Sequence, residues 1–357
     1  MYYLFMGVTI REVAAQAGVS ASTVSLVLNN RPGIGDDTRL MVFKTAETMG
    51  YQIPVMERER KSGGTIRFLK IAKHGHIINR NHNVFIADYI DGLEKEARES
   101  GFSLEVQNYN GLDYEQIQKD LVESCPDGLI ILATELDEMD IPRFENISVP
   151  MVFIDTSHPA SPFDFVDMDN EGAVYSIVSE LKKRGHQKIG MVKSSVDTRN
   201  FRLRERSFYE ALNYYELPSR AEWTFSVDST FEQASIEMEE ELEEGRDMPT
   251  AFFCVCDIIA FACMKALKKK GFTLPEDVAV VGFDDLPSSQ MSDPPLSSIK
   301  VSKKRIGRRA FQLLNRRLTA NESLPYEKVF IGSELIIRES LGKNSAEELQ
   351  IPSRRIK

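Results

Sequence analysis

A chain of 357 residues, 42% hydrophobic and 27% charged, reads as a globular protein of two or three domains. It holds no apolar run long enough to span a membrane. MYYLFMG lacks the basic flank and the length of a signal segment, so a cytoplasmic location is expected. The net charge of −10 is unevenly spread: residues 1–80 carry 11 Lys and Arg against 6 Asp and Glu, and the remainder 33 against 48. Such a division fits a basic end that faces nucleic acid on an acidic body that DNA repels, with chance clustering on solvated faces as the alternative.

From Val8 to Tyr51 the pattern is helical. Ile10, Val13, Ala14 and Ala17 share one face of a first helix, and Gly18 follows where a tight turn needs positive φ. Ser20 is placed to cap a second helix with Val24, Val27 and Leu28 inward. Asp36 and Asp37 open a third, with Val42, Ala46 and Met49 inward and Gly50 as its stop. Two short helices about a glycine turn, braced by a third, are the elements of a helix-turn-helix that lays its second helix in the DNA major groove. An ordinary three-helix core has the same spacing. Residues 52–65, with Pro54, the charges from Glu57 to Lys61 and Gly63-Gly64, read as a linker.

Beyond Ile66 strands and helices alternate. IRFLKI, SLEVQ, DGLIIL, PMVFI, KIGMV, a segment around Trp223, AFFCV and VAVVGF read as strands. VFIADYIDGLEKEARESG, YEQIQKDLVES, EGAVYSIVSELKKRG, RERSFYEALNYYEL, SIEMEEELEEG and DIIAFACMKALKKKG read as helices. The alternation implies α/β architecture with parallel sheets covered on both faces, and too many units for one sheet, hence two lobes. The tail, residues 343–357, has no apolar heptad and is expected to be loose.

AAQAGVSASTVSLVLNN, followed by DDTR and MGY, resembles the headpiece of the lac repressor family (LacI/GalR type). PDGLIIL, VPMVFID, VDMDNEGA, LKKRGHQKIG, LPEDVAVVGFDD, PPLSSIKVSKKRIGRRA and IIRES extend the resemblance over nearly the whole chain. It implies a DNA-binding domain at 1–51, a hinge at 52–65 and a two-lobed periplasmic-binding-protein-like body at 66–342 that binds an effector and dimerises. It also implies three crossings between the lobes, placed near 155–163, 287–297 and 320–327. The family's hinge carries a Leu that wedges the minor groove; here only Ile53, Val55 and Met56 are at hand.

On this resemblance Ala21, Ser22 and Leu26 face the bases of a near-palindromic operator bound by a homodimer, with Ser20, Thr23, Ser25, Asn29 and Thr38 nearer phosphates. Asp155, Arg204 and Asp284 match family positions that hold a small polar effector, expected to be a sugar or sugar derivative. Each lies at or beyond a strand's carboxyl end, where open α/β sheets bind ligands. Ion pairing is the alternative for each. Cys256 stands where the family often has Asn, which removes one polar contact.

Enzymatic phosphate loops, dinucleotide fingerprints and nucleophile elbows are absent from the sequence, so no catalytic residue and no cofactor are expected. His74 and His76 form the one close histidine pair, too few ligands for a metal site. The four cysteines read as buried free thiols, with Cys125 and Cys263 isolated, and His186 as a helix cap. The expected protein is a transcriptional regulator, a repressor in its leading reading. A soluble sugar-binding protein, or a regulator answering a nucleobase or a protein co-regulator, remains open.

Overall fold

The computed structural model describes residues 8–28, 34–49, 51, 64–79, 82–242 and 247–342. The chain divides into two compact units, Met1–Lys61 and Ser62–Lys357.

In the first unit, α1 (Ile10–Ala17) begins at a reciprocal cap: Thr9 Oγ1 accepts from the Glu12 N–H, and Glu12 Oε2 accepts from the Thr9 N–H at 2.6 Å. Gly18, at φ 67°, ends it. The helix α2 (Ala21–Leu28) starts where Ser20 Oγ accepts from the Thr23 N–H at 3.0 Å. With α3 (Asp36–Thr48), these helices enclose Val13, Ala14, Ala17, Val24, Val27, Val42 and Ala46, the inward set expected from spacing; Met49 is only partly buried. The Leu28 side chain, Gly50, linker residues 52–63 and the tail lie outside the described residues.

The second unit is built on two six-stranded sheets. The first lobe contains β1 (Gly64–Ala72), β2 (Phe102–Asn110), β3 (Gly128–Leu132), β4 (Met151–Ile154), β5 (Asp164–Met168) and β11 (Lys328–Ile331), in the order β11-β5-β4-β3-β1-β2. The second contains β6 (Ile189–Ser194), β7 (Thr224–Val227), β8 (Ala251–Cys254), β9 (Ala279–Asp284), β10 (Ser297–Lys300) and β12 (Glu334–Ile336), in the order β12-β10-β9-β8-β6-β7. Pairing is parallel except between β10 and β12. The first lobe is covered by α4 (Asn83–Glu99), α5 (Tyr114–Ser124) and α11 (Lys303–Thr319). The second is covered by α6 (Asn170–Lys183), α7 (Arg199–Tyr214), α8 (Phe231–Glu241) and α9 (Asp257–Lys269), with the short α10 (Pro287–Met291) after β9.

Strand alternation places Phe68, Ile130, Val152 and Val166 on the face under α4 and α11. It places Leu69, Ile131, Phe153 and Phe165 on the face under α5. The helices α4 and α11 meet backbone to backbone, because a Cβ on Gly92 would stand 2.1 Å from the Lys304 carbonyl oxygen and one on Gly307 2.2 Å from that of Tyr89.

Several expectations are corrected. The chain changes lobes at 168–170, 300–303 and 331–334, between β5 and α6, β10 and α11, and β11 and β12. Segments 155–163 and 320–327 instead close loops within the first lobe. Segment 287–297, with Pro294-Pro295, joins β9 to β10 within the second. Gly64 and Thr65, read as linker, already belong to β1. Cys125 is exposed at a helix end, and Cys263 is a free thiol within hydrogen-bonding reach of the Cys254 thiol rather than isolated. Among the described residues no helix is long and apolar enough to cross a membrane, and no three potential metal ligands gather.

Candidate functional site

On the helix-turn-helix unit, Ala21 and Ser22 are exposed on the first turn of α2, and Thr23 and Thr38 are half-buried. Ser20 is exposed, but its hydroxyl is engaged as the α2 cap and bonds the Ser22 and Thr23 hydroxyls at 2.7 and 2.8 Å. The side chains of Ser25 and Leu26, and Asn29 altogether, lie outside the described residues.

In the second unit, Asp155, Arg204 and Asp284 line one cavity between the lobes. Asp155 follows β4 at φ 64°, and Asp284 ends β9 at φ 118°, so both backbones turn sharply where the strands stop. Arg204 projects from α7, and all three guanidinium nitrogens are used. Nε donates to Asn170 Oδ1 at 2.8 Å, Nη1 to the Val255 carbonyl at 2.6 Å, and Nη2 to the Met168 sulfur at 3.1 Å. The guanidinium lies 3.6 Å from the Phe283 ring centroid, and Nη1 is 3.9 Å from Asp284 Oδ1. It is the buried keystone of the second lobe's edge.

Asp155 accepts from the Tyr89 hydroxyl at 2.9 Å and from the Thr134 hydroxyl. Asn200, on α7, reaches across from the other lobe: its amide donates to the Asp155 carbonyl at 3.0 Å and lies 3.3 Å from both Asp155 Oδ1 and Asp167 Oδ1. Burial lifts the Asp155 carboxyl above its ordinary pKa, against the Thr134 and Tyr89 hydrogen bonds. Burial and the neighbouring Asp155 charge push Asp167 up to about 8. Burial also brings Asp284 to about 8, against the pull of Arg204. Next door, Asp257 ties the β9–α10 turn to β10 by accepting from the Leu286 N–H at 2.8 Å and the Ser289 and Ser298 hydroxyls at 2.5 Å.

The cavity is about 40 Å³, room for a few water molecules but for no sugar ring or base. Its walls are divided. His82, Thr134, Thr198 and Asn200 join the charged residues on the polar side, while Ile77, Ile78, Phe85, Ile86, Phe201 and Cys256 are apolar. Further contacts bind the two lobes. His76 Nδ1 lies 3.4 Å from Asp228 Oδ2, Ser229 Oγ donates to the His76 carbonyl at 3.0 Å, and Arg202 Nη2 meets Glu138 at 3.0 Å. His74 and His76 thus serve loop and lobe contacts. His186 is buried against Thr250 Oγ1 at 2.9 Å, just past α6.

The three charged residues expected from strand ends and the family resemblance line one cavity, and Asn170, Asn200, Asp167 and His82, not expected from the sequence, lie on or beside it. The one signal available was that Asn170 and Asn200 open helices just after a strand or its loop.

Residues 9–53 match the family described as bacterial regulatory proteins, lacI family, and residues 178–341 match a periplasmic binding protein-like domain. The HTH-type transcriptional repressor PurR of Aliivibrio salmonicida is 32% identical over 315 residues, covering 87% of this chain and 92% of that one. Its counterpart from Mannheimia succiniciproducens is 30% identical over 342 residues, covering 94% and 99%. Among solved structures, the complex of the transcriptional regulator CelR with cellobiose is 25% identical with a TM-score of 0.68, covering 93% of this chain and 99% of that one. The lac repressor dimer bound to operator and the anti-inducer ONPF shares the fold at 23% identity and a TM-score of 0.68, covering 94% and 99%. With the headpiece, the two-sheet body and relatives of this similarity along nearly its whole length, the chain belongs to the lacI family of bacterial regulatory proteins.

Proposed function

We propose that this protein is a transcriptional repressor that binds a near-palindromic operator as a homodimer and answers a small polar effector held between its lobes by Asp155, Arg204 and Asp284. The observation that carries the effector site is the meeting of Arg204, on α7, with Asp284, at the end of β9, at 3.9 Å on a cavity that both lobes line. On the operator, Ala21, Ser22 and Leu26 read bases, while Ser20, Thr23, Ser25, Asn29 and Thr38 lie toward phosphates.

A purine nucleobase is the effector class we favour over the sugar expected from the sequence. Its flat faces suit the apolar lining, which includes Ile77, Phe85 and Phe201, and its edge offers donors and acceptors to Asp284 and Arg204. Cys256 leaves one direction without the polar partner that a sugar's surrounding hydroxyls need. The relatives named PurR point the same way. A sugar is the second reading, favoured by the neighbour solved with cellobiose.

Because the cavity is too small for either ligand, binding requires the lobes to separate or the apolar wall to move. The effector therefore distinguishes two arrangements of the body, which is the condition for regulating anything. Coupling of about 1–3 kcal/mol changes operator affinity roughly 5- to 150-fold.

Thermal unfolding with hypoxanthine, guanine, glucose and cellobiose tests the site, since a ligand that binds only the folded state raises the midpoint. Operator titration with and without the ligand found then tests the coupling. A midpoint raised by cellobiose and not by the nucleobases reverses the effector assignment, and no shift with any of the four removes it.

A further inference from the structure

His82 stands just ahead of α4, on the cavity wall, and is 6% exposed. Its ring is oriented by a short relay. Asn79 Nδ2 donates to the His76 carbonyl oxygen at 2.5 Å, which turns Asn79 Oδ1 toward His82 Nδ1, 3.4 Å away. An amide oxygen only accepts, so Nδ1 carries the ring proton and Nε2 is left with its lone pair. That nitrogen is buried and has no hydrogen-bond partner among the described residues. Burial pushes the imidazole pKa down to about 4, against the Glu135 carboxylate, so the ring is neutral at physiological pH.

The loop leading to His82 is itself held in place. The buried Glu135 carboxylate accepts from the backbone N–H groups of His74 and Gly75 at 2.9 Å, Ile77 at 2.8 Å and Ile78 at 2.7 Å. Burial alone would raise its pKa, but the four donors together hold it below the ordinary value. The carboxylate thus stays charged and the loop stays closed on it. The residue that aims His82 belongs to this same loop, so Nε2 is preorganised.

We propose that His82 is a specificity-determining residue of the effector site, its Nε2 accepting a hydrogen bond from one N–H or O–H group of the bound molecule. This rests on the effector site proposed above. Two features make His82 a different reader from the aspartates. It is a neutral acceptor that does not become a donor near neutral pH, so a ligand carbonyl at that point meets lone pair with lone pair. A ligand methyl there leaves the buried nitrogen unpaired. A purine offers ring N–H groups, and the position facing His82 must carry its proton.

The test is calorimetric titration of the full-length protein with hypoxanthine, guanine and cellobiose, and then with the N-methyl isomers of hypoxanthine. Compared are wild type, His82→Phe, which keeps an aromatic ring without the acceptor, and His82→Gln, whose amide oxygen restores one. For the probe that wild type binds, His82→Phe is expected to weaken affinity roughly 10- to 100-fold, and His82→Gln to recover most of it. If the probe is hypoxanthine, wild type rejects one N-methyl isomer that His82→Phe no longer discriminates. In wild type the His82 Nε2 nitrogen resonance moves on saturation, a reading that needs no variant to fold. Equal affinity of wild type and His82→Phe, or an Nε2 resonance unmoved by saturating probe, overturns the assignment while leaving the effector site standing. Failure of wild type to bind any of the three probes removes the site and the role of His82 together.

Discussion

Asp155 and Asp284 occupy equivalent places in two lobes of like topology. Asp155 follows β4 and Asp284 ends β9, each the fourth strand of its lobe in chain order, and each sits at positive φ, at 64° and 118°. Their surroundings differ. The Asp155 carboxylate is occupied by Tyr89, Thr134 and Asn200, whereas that of Asp284 makes no hydrogen bond among the described residues and has Arg204 Nη1 at 3.9 Å. The same sheet edge locks a joint in one lobe and in the other leaves a carboxyl on the cavity wall beside Arg204. Position within a fold supplies the carboxylate, and its neighbours decide what it is free to do.

The largest expected effect comes from removing the cation. Arg204→Ala leaves Asn170 Oδ1 and the Val255 carbonyl without their donor and removes the buried cation that lies 3.9 Å from Asp284. Urea unfolding is expected to show a loss of about 3–5 kcal/mol. Effector response is expected to vanish as well. A variant that still answers its ligand at wild-type concentration would break the comparison at its centre.

The aspartates should then separate. Asp284→Asn is expected to weaken effector binding roughly 10- to 100-fold above pH 8, where the wild-type carboxyl is ionised and accepts through both oxygens, with little loss of stability. Asp155→Asn is expected to cost about 1–3 kcal/mol of stability, because the Tyr89 and Thr134 hydroxyls lose a carboxylate, with a smaller effect on binding. Calorimetry and urea titration of the pair decide it, and identical profiles for the two variants would show the lobes to be functionally symmetric.

A pH series sharpens the same contrast. Asp167 and Asp284 titrate near 8 in the folded chain and near 4 when unfolded, so between those values the native state holds protons that the unfolded state has lost. Stability from these groups is complete below pH 4 and falls as pH rises toward 8, by up to about 1.4 kcal/mol per pH unit for each proton. Asp167→Asn and Asp284→Asn should each flatten that slope. An unchanged slope in both would place the pH dependence elsewhere.

The smallest effect belongs to the first unit. Ser20→Ala removes the α2 cap and should cost about 1 kcal/mol, seen as earlier unfolding of that unit. It should shift operator sequence preference less than substitution of Ser22, whose exposed place on α2 suits base contact.

Most strands were legible because a parallel sheet buried on both faces writes its strands as apolar runs such as GLIIL. The helix α11 was not read, since Lys and Arg crowd KKRIGRRAFQLLNRRLT and hide the stripe of Ile306, Ala310, Phe311 and Leu314. Lobe crossings were misplaced for a related reason. Turn residues cluster in the loops within each lobe, while the crossings at 168–170 and 300–303 pass from strand to helix in a few residues without Gly or Pro. Of the cavity lining, Asp155 and Asp284 were marked by strand ends, Arg204 by the family resemblance, and Asn200 only by its place at a helix opening. His82 had no mark, because nothing in a sequence shows a polar side chain as buried.

The close meeting of α4 with α11 bears on how the protein is made. The first lobe borrows α11 and β11 from residues 303–331, whereas the second is contiguous from 170 to 300 except for β12 and the segment after it. During synthesis from the N-terminus, the first lobe must wait for residues 303–319 before Leu314 and its neighbours can cover β3 and Gly128. The second lobe can collapse before the first is sealed. A nascent chain arrested near residue 300 would therefore present an open apolar sheet to chaperones and proteases, and quality control would read completion of α11 as closure of the first lobe.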